Sequence, residues 1–175
     1  SRLKESYMLH NVGDTLIVKM NPALGMLKEM SFDNTDDLDA YFNKNKNRNK
    51  NGFLFGERDK NLSIIGFAGL NVVENTGDSI EVIISRTARG SDKKEANENA
   101  RAIEYKYVQN GREINFDEIF HVLEGSKFRT QEVDIKIKLP RGKVIYFDKS
   151  VKYLLDDVDN VTNTWDGDMI SRRWI

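Results

Sequence analysis

Five aspartates near the end of the chain form its densest group of potential metal ligands. They lie between residues 156 and 168 with no Lys or Arg among them: Asp156, Asp157, Asp159, Asp166 and Asp168. Clustered carboxylates suit Ca²⁺, but this spacing does not fit an EF-hand loop. Asp beside Asn and Gly is also typical of turns between short strands. We therefore predict a structural role for this segment and no metal site, with a bound cation as the alternative.

Other catalytic sets are sparse. The chain has no Cys and only two histidines, His10 and His121, which excludes a thiol nucleophile and a three-histidine metal site. His121 lies in an apolar run, where a partly buried, hydrogen-bonded histidine is expected. A carboxylate pair such as Asp156 and Asp159 keeps a hydrolase open as a third hypothesis. No nucleotide-binding or nucleophile-elbow motif occurs, so we predict no enzyme, no catalytic residue and no cofactor.

The charge balance argues against a nucleic-acid-binding protein. The chain carries 27 Lys and Arg against 28 Asp and Glu, a net charge of −1, whereas binding to phosphate backbones needs a basic excess. Arg86, Arg89 and Arg129 flank predicted strands. They could form an anion site, take part in structural ion pairs, or simply be exposed. Residues 43–51 (NKNKNRNKN) are either a solvated loop or a contact for phosphate or lipid headgroups.

The apolar pattern predicts a mainly β protein. Ile and Val outnumber Leu and Ala, and branched side chains favour extended backbone. Residues 133–139 alternate strictly between apolar and polar, which is typical of a half-buried strand. Their inward side chains would be Val133, Ile135, Ile137 and Leu139, and Asp134, Lys136 and Lys138 would face solvent. Residues 79–85 alternate in the same way, with Ile80, Val82 and Ile84 inward.

The remaining predicted strands are short and separated by Gly, Asn and Asp. They cover residues 15–20, 62–65, 103–108, 113–116, 144–147 and 151–155. Asn110-Gly111 predicts a hairpin turn. Many short strands with regular turns indicate a sandwich, a barrel or a solenoid, and the pattern alone does not choose among them.

One short α-helix of about three turns is predicted after Ser91, which would be its N-cap. Ala96 and Ala100 recur at helical spacing, and the helix should end near Ala102. A second helical turn is predicted over residues 37–42.

Three segments in a fixed order resemble a known family. The first is residues 83–90 (IISRTARG), followed by the helix and residues 102–105. The second is residues 128–133 (FRTQEV), leading through the alternating strand into LPRGK. The third is residues 156–174, with NVTN and WDGDM. Together, over roughly residues 60–175, they are similar to the C-terminal domain of Bacteroidetes-type phage-shock-protein C (PspC) homologues. That domain is related to the toast-rack domains of LiaF-type envelope-stress proteins and to adhesin-type domains.

The resemblance implies an all-β fold, with short strands stacked into a solenoid-like or two-sheet β-sandwich body and one short helix. We expect residues 1–50 to be an N-terminal segment of uncertain fold that ends in the polar Asn/Lys loop. Residues 51–175 would form the β-rich, toast-rack-like domain.

The functional expectation from the resemblance is a non-enzymatic sensory or interaction domain of a membrane-anchored envelope-stress protein, a family often labelled stress-responsive transcriptional regulators. A PspC module and membrane helices would precede Ser1. The full-length protein would lie in the cell inner membrane, with this domain extracytoplasmic or periplasmic and the cytoplasmic side left open. Its partner would be another protein or a second copy at the membrane, and this part would bind no nucleic acid. The family brings no catalytic, cofactor-binding or metal residue.

The main alternative is a β-rich adhesin or carbohydrate-binding domain, because Trp165, Trp174 and the tyrosines could stack on sugars. That function requires aromatic side chains exposed and aligned on one face.

Overall fold

The computed structural model describes residues 1–23, 31–32, 53–58, 61–123, 126–155, 158, 164 and 168–175. The strands in this part of the chain are β1 (Arg2–Met8), β2 (Thr15–Asn21), β3 (Ser31–Phe32), β4 (Phe53–Arg58), β5 (Asn61–Phe67), β6 (Gly69–Asn75), β7 (Glu81–Thr87), β8 (Ile103–Glu104), β9 (Tyr107–Asn110), β10 (Glu113–Asp117), β11 (Ile119–Val122), β12 (Glu132–Pro140), β13 (Val144–Phe147) and β14 (Arg173–Trp174). One α-helix, α1 (Lys93–Arg101), and a 3₁₀ helix (Lys149–Tyr153) complete the described elements. The predicted mainly β fold with one short helix is confirmed.

The strands form three sheets. Sheet I has the order β1-β7-β12-β6, sheet II the order β14-β13-β2-β10-β9, and sheet III the order β3-β4-β5-β11-β8. Three neighbouring pairs are parallel: β12 with β6, β10 with β2, and β13 with β2. Parallel neighbours need long crossover connections, so each of these pairs joins segments that are distant in the sequence.

Strand β12 is an inner strand of sheet I, between β7 and β6. Its alternation places Val133, Ile135 and Ile137 in the core, with at most 2% of each side chain exposed. The predicted inward face is therefore confirmed over most of the strand. The alternation ends at Leu139, which is only partly buried, and Pro140 is buried instead.

A single hydrophobic core receives side chains from all three sheets. Its largest fully buried members are Phe116, Phe120, Phe147, Leu16, Leu70, Ile84, Ile114, Ile135, Ile137 and Leu154. Burial of each such side chain contributes about 1.5–3 kcal/mol relative to exposure. The closeness of the packing is evident at Gly66, where an added Cβ would lie 2.2 Å from the ring of Phe120.

The N-terminal strands share sheets with strands from much later in the chain. Strand β1 pairs antiparallel with β7 in sheet I, and β2 lies between β13 and β10 in sheet II. Residues 1–23 are thus built into the same core as the rest of the described chain. The expected boundary near residue 50 and the polar loop at residues 43–51 lie outside the described residues.

The helix α1 begins one residue later than predicted. Asp92, not Ser91, is the N-cap, and its carboxylate accepts a hydrogen bond from the Glu95 backbone N–H at 2.8 Å. Ser91 instead donates its own N–H to the Glu95 side chain at 2.6 Å. The Asp92 carboxylate satisfies a free N–H group of the first turn, and its charge is favourable at the positive end of the helix dipole. The predicted end near Ala102 is confirmed, because Ala102 is the C-cap.

Two of the predicted strands differ from the structure. Residues 151–155 include the end of the 3₁₀ helix, which Asp148 caps by accepting from the Ser150 N–H. Residues 103–108 break at Tyr105 and Lys106, because the Tyr105 hydroxyl donates to the carbonyl of Asp117 and its ring is buried. The predicted hairpin is confirmed: β9 and β10 pair antiparallel around Gly111, whose φ is +57°.

The predicted helical turn at residues 37–42 lies outside the described residues. Within those residues, neither helix has the length and apolar character that a membrane span requires.

Candidate functional site

The outer face of sheet I, on the side away from the core, carries a polar groove with a volume of about 310 Å³. All four strands of the sheet contribute to it. Its polar lining side chains are Arg2, Lys4, Asn71, Ser85, Asp134 and Lys136, with Gly69 and Ile83 between them.

The strand register explains why these residues meet. Lys4 pairs with Ser85, which pairs with Asp134, which pairs with Gly69, so one row crosses the whole sheet. Because directly opposed residues in neighbouring strands point to the same face, this row forms one wall of the groove. The absence of a side chain at Gly69 leaves the β6 end of the row open.

The next row, two residues along each strand, forms the other part of the groove. Ser6 pairs with Ile83, Ile83 with Lys136, and Lys136 with Asn71. Ile83 gives this row an apolar centre. The charged side chain of Lys136 on β12 and the amide of Asn71 on β6 follow it in the same row.

The groove has an excess of positive charge. Three cationic side chains face one carboxylate, and Arg2 satisfies that carboxylate through an ion pair with Asp134 at 2.7 Å. Lys4 and Lys136 are exposed and form no ion pair with another described residue. Two ammonium groups therefore remain available to an incoming anion.

Two buried polar atoms on the same face lack partners. Asn71 Oδ1 and Thr87 Oγ1 are shielded from solvent and accept no hydrogen bond from the described residues. Buried polar groups are normally satisfied, so an orphaned acceptor at a groove wall indicates a place where a ligand could donate. Ser85 adds a hydroxyl-bearing side chain that is only 6% exposed.

The other face of β1 carries an engaged cluster. Arg86 forms an ion pair with Glu5, and the Tyr7 hydroxyl donates to the same carboxylate. The hydrogen bond from Tyr7, followed by the neighbouring Arg86, lowers the pKa of Glu5. The same bond raises the pKa of Tyr7 to about 12. The Tyr7 ring also packs edge-on against Tyr107 with 5.4 Å between the ring centroids, so this cluster ties β1 to β9.

Of the three arginines considered as an anion site, two form ion pairs and Arg89 is exposed. Arg86 pairs with Glu5, and a guanidinium nitrogen of Arg129 lies 3.5 Å from a Glu95 carboxylate oxygen. Arg89 and Arg129 meet through their backbones, since the Arg89 N–H donates to the Arg129 carbonyl at 2.9 Å. The positions fit the structural ion pairs expected as the alternative for Arg86 and Arg129.

The histidines are not brought together. His121 is a partly buried residue of β11, opposite Ile65 on one side and Glu104 on the other. His10 is exposed in the loop after β1. In the part of the chain that the structure describes, no group of three or more His, Asp or Glu is placed to hold a metal ion.

Most of the acidic segment lies outside the described residues; of its five aspartates only Asp168 is described, and it is exposed. Trp165 also lies outside the described residues. Trp174 is half-buried, its indole N–H donates to the Met169 carbonyl at 2.9 Å, and its ring packs against the core. This anchoring does not favour Trp174 as a sugar-stacking platform.

The groove was only partly predictable. The alternation of β12 placed Asp134 and Lys136 on a wet face, and that face is confirmed. Lys4 and Asn71 were missed, since nothing local in β1 or β6 indicates that they join β12 in one sheet. Positions 2, 4 and 6 of β1 are polar, but position 5 is Glu, so the local pattern does not alternate and gives no clear signal.

The comparisons with known proteins give one family. The family model described as the ToastRack found in some PspC, at their C-terminal part, matches residues 57–175, which is more than half of the chain. Neither a curated protein nor a solved structure matches.

Proposed function

The chain belongs to the family of toast-rack domains found in some PspC proteins, and from this premise we propose that it is a sensory or interaction domain of a membrane-anchored envelope-stress response protein. The single observation that carries the proposal is the match over residues 57–175. The finer relations, to Bacteroidetes-type PspC and to LiaF-type proteins, are part of the proposal. So is regulation of transcription, which would be exerted by the full-length protein.

We further propose that the domain acts by binding and not by catalysis. Two carboxylates on the outer face of sheet I are engaged in ion pairs: Asp134 with Arg2, and Glu81 with Lys138 at 2.8 Å. The hydrogen bond from Lys138 lowers the pKa of Glu81, which makes this carboxyl a poor general acid. The exposed lysines of the groove, in contrast, are free to meet a partner.

The proposed setting is the cell inner membrane, with the domain on the extracytoplasmic side. The proposed partner is another envelope protein or a second copy of the chain, and nucleic acid is not expected to bind. The net charge of −1 supports that last expectation, because contact with many phosphates needs a basic excess.

An in-frame deletion tests the function in cells. The region that encodes residues 1–175 is removed from its gene, and transcription of envelope-stress genes is measured before and after membrane damage. We expect the deletion to change the induced level, and the reintroduced domain to restore it. An unchanged stress response in the deletion strain would contradict the proposal.

The alternative, a β-rich adhesin or carbohydrate-binding domain, makes a different prediction. Saturable binding of the purified chain to a glycan array would favour it. The half-buried Trp174 offers little support for this alternative.

A further inference from the structure

We propose that the groove on the outer face of sheet I binds a phosphate ester that also carries a hydrogen-bond donor, such as an ammonium or hydroxyl group. This inference deepens the proposed function, on which it rests for its biological role, by naming the ligand class. Nothing in the family match assigns a ligand to this face.

The first step is the position of the two free ammonium groups. Lys4 and Lys136 lie on either side of β7, one row apart. With strands about 4.8 Å apart and about 3.4 Å per residue, their Cα atoms are separated by about 12 Å. Two extended lysine side chains can close that gap over Ser85 and Ile83, and lysine binds phosphate as a point charge.

The second step concerns where along the groove an anion would lie. At one end, Glu132 follows in the row of Thr87 and Arg2 and repels anions. At the other end, the Glu81 carboxylate is neutralised by Lys138. The positive charge therefore peaks between these ends, at the rows of Lys4 and Lys136.

The third step is the donor that the ligand must carry. Asn71 is the cross-strand neighbour of Lys136, and its buried Oδ1 has no hydrogen-bond partner. A phosphate oxygen cannot satisfy an acceptor, but a donor on the same molecule can. The Asp134 carboxylate, one row away, would favour a positively charged donor. The ligand is therefore a phosphate with an N–H or O–H group attached nearby.

The test titrates the 175-residue chain with O-phosphoethanolamine and with phosphocholine, and follows backbone amide shifts by NMR at low ionic strength. The two probes have the same charges, but only the first has N–H donors. We expect saturable shifts around Ser85 and Asn71, with phosphocholine binding about tenfold more weakly through the lost hydrogen bond. Asn71→Leu should remove this difference between the probes.

The double variant K4Q/K136Q removes the two free charges and should weaken O-phosphoethanolamine binding about tenfold or more. Its matched control is K93Q/K94Q, which removes two charges from the exposed start of α1. The control should bind as the unmodified chain does. Equal weakening in both variants, shifts spread over all lysines, or no saturation would overturn the proposal.

Vesicles distinguish the source of the phosphate. Retention of the chain on phosphatidylethanolamine vesicles, absent on phosphatidylcholine vesicles and lost in K4Q/K136Q, would support a lipid headgroup. Binding of the soluble ester without vesicle retention would support a soluble ligand. A normal stress response in the strain that lacks the whole domain, while the purified chain binds the ester, would contradict the proposed function and leave the site itself supported. A normal response in K4Q/K136Q, in a background where the deletion changes it, would contradict a role of the groove in the response and leave the proposed function supported.

Discussion

Gln131 is fully buried, and its amide organises the loop that leads into β12. Its Nε2 donates to the Lys127 carbonyl at 2.9 Å, and its Oε1 accepts from the Arg129 N–H at 2.8 Å. Thr130, between Arg129 and Gln131, has a φ of +53°, which is uncommon for a β-branched residue. The side-chain bonds of Gln131 therefore hold a backbone turn that the sequence alone disfavours.

Gln131→Ala should lower the free energy of unfolding by about 1–3 kcal/mol, because it removes a fully buried side chain and leaves partly buried backbone groups without partners. Urea denaturation gives the change. The control is Gln109→Ala, since Gln109 also makes two hydrogen bonds to the backbone, donating to the carbonyls of His10 and Gly111, but in exposed positions. Equal losses in the two variants would show that burial does not decide the cost.

At the same scale, the groove residues show what a sequence can and cannot indicate. Asp134 and Lys136 were predictable as wet-face residues because their neighbours alternate with apolar side chains. Their approach to Lys4 depends on β1 pairing with β7, a contact between residues about 80 positions apart. Local patterns fix the face on which a residue lies, whereas strand order fixes its neighbours.

Among the elements, β12 offers the sharpest test of strand parity. Ile135 is 1% exposed and Lys136, the next residue, is exposed on the opposite face. Ile135→Asp would place a carboxylate in the core and lose an apolar contact of about 1.5–3 kcal/mol. Because domains are stable by only about 5–15 kcal/mol, this variant should unfold or become insoluble.

Lys136→Gln should change stability by no more than about 0.5 kcal/mol, as is usual for surface substitutions. Denaturant midpoints and soluble yield of the two variants check the contrast. Equal tolerance of both changes would mean that β12 does not present this face to the core.

The packing of β5 against β11 gives a second test at this scale. An added Cβ at Gly66 would lie 2.2 Å from the Phe120 ring, whereas one at Gly77 would meet its nearest atom at an ordinary 3.6 Å. Gly66→Ala should therefore cost about 1–3 kcal/mol through overpacking, and Gly77→Ala should be close to neutral. Thermal melts of both variants measure the difference; an equally mild Gly66→Ala would contradict the close contact.

Strands whose residues alternate strictly between apolar and polar were predicted well. Segments whose apolar spacing fits both a strand and a helical turn were not. Residues 151–155 contain Val151, Leu154 and Leu155, all buried, and this spacing fits a helical turn as well as a strand. The Asp148 cap decides in favour of the 3₁₀ helix. At residues 103–108 the alternation was real, but the buried Tyr105 and its bond to Asp117 divide one predicted strand into two.

At the scale of the whole molecule, the parallel pairs set the architecture. Strand β2 lies between β10 and β13, which follow it by nearly 100 residues or more. No local pattern identifies such partners, so the residues alone left a sandwich, a barrel and a solenoid open. The family resemblance reduced these three fold classes to a solenoid-like or two-sheet body, because a known family implies a strand arrangement and periodicity alone does not.

The pH dependence of stability is a property of the whole molecule, and its acid limb comes from carboxylates whose pKa values are lowered. Among the described residues these are Glu5, Glu81, Glu95 and Asp148, and the leading cause in each case is a hydrogen bond: from Tyr7, Lys138, Ser91 and Ser150 respectively. Each group contributes stability above its unfolded pKa of about 4 and loses it as the pH falls through the lower folded value. Stability should therefore decline below about pH 4.5.

The loss of stability at high pH comes from tyrosines, whose pKa values are raised where those of the carboxylates are lowered. The hydrogen bond to Glu5 raises the pKa of Tyr7 to about 12, and burial raises the pKa values of Tyr105 and Tyr107. A raised pKa contributes stability that is complete below the unfolded value of about 10 and is lost as the pH rises through the folded value. Urea midpoints should therefore fall above about pH 10, and phenolate absorbance should show part of the tyrosines titrating only as the chain unfolds. Tyr105→Phe should weaken the alkaline decline, and an unaltered decline in this variant would show that the buried phenol does not set the limb.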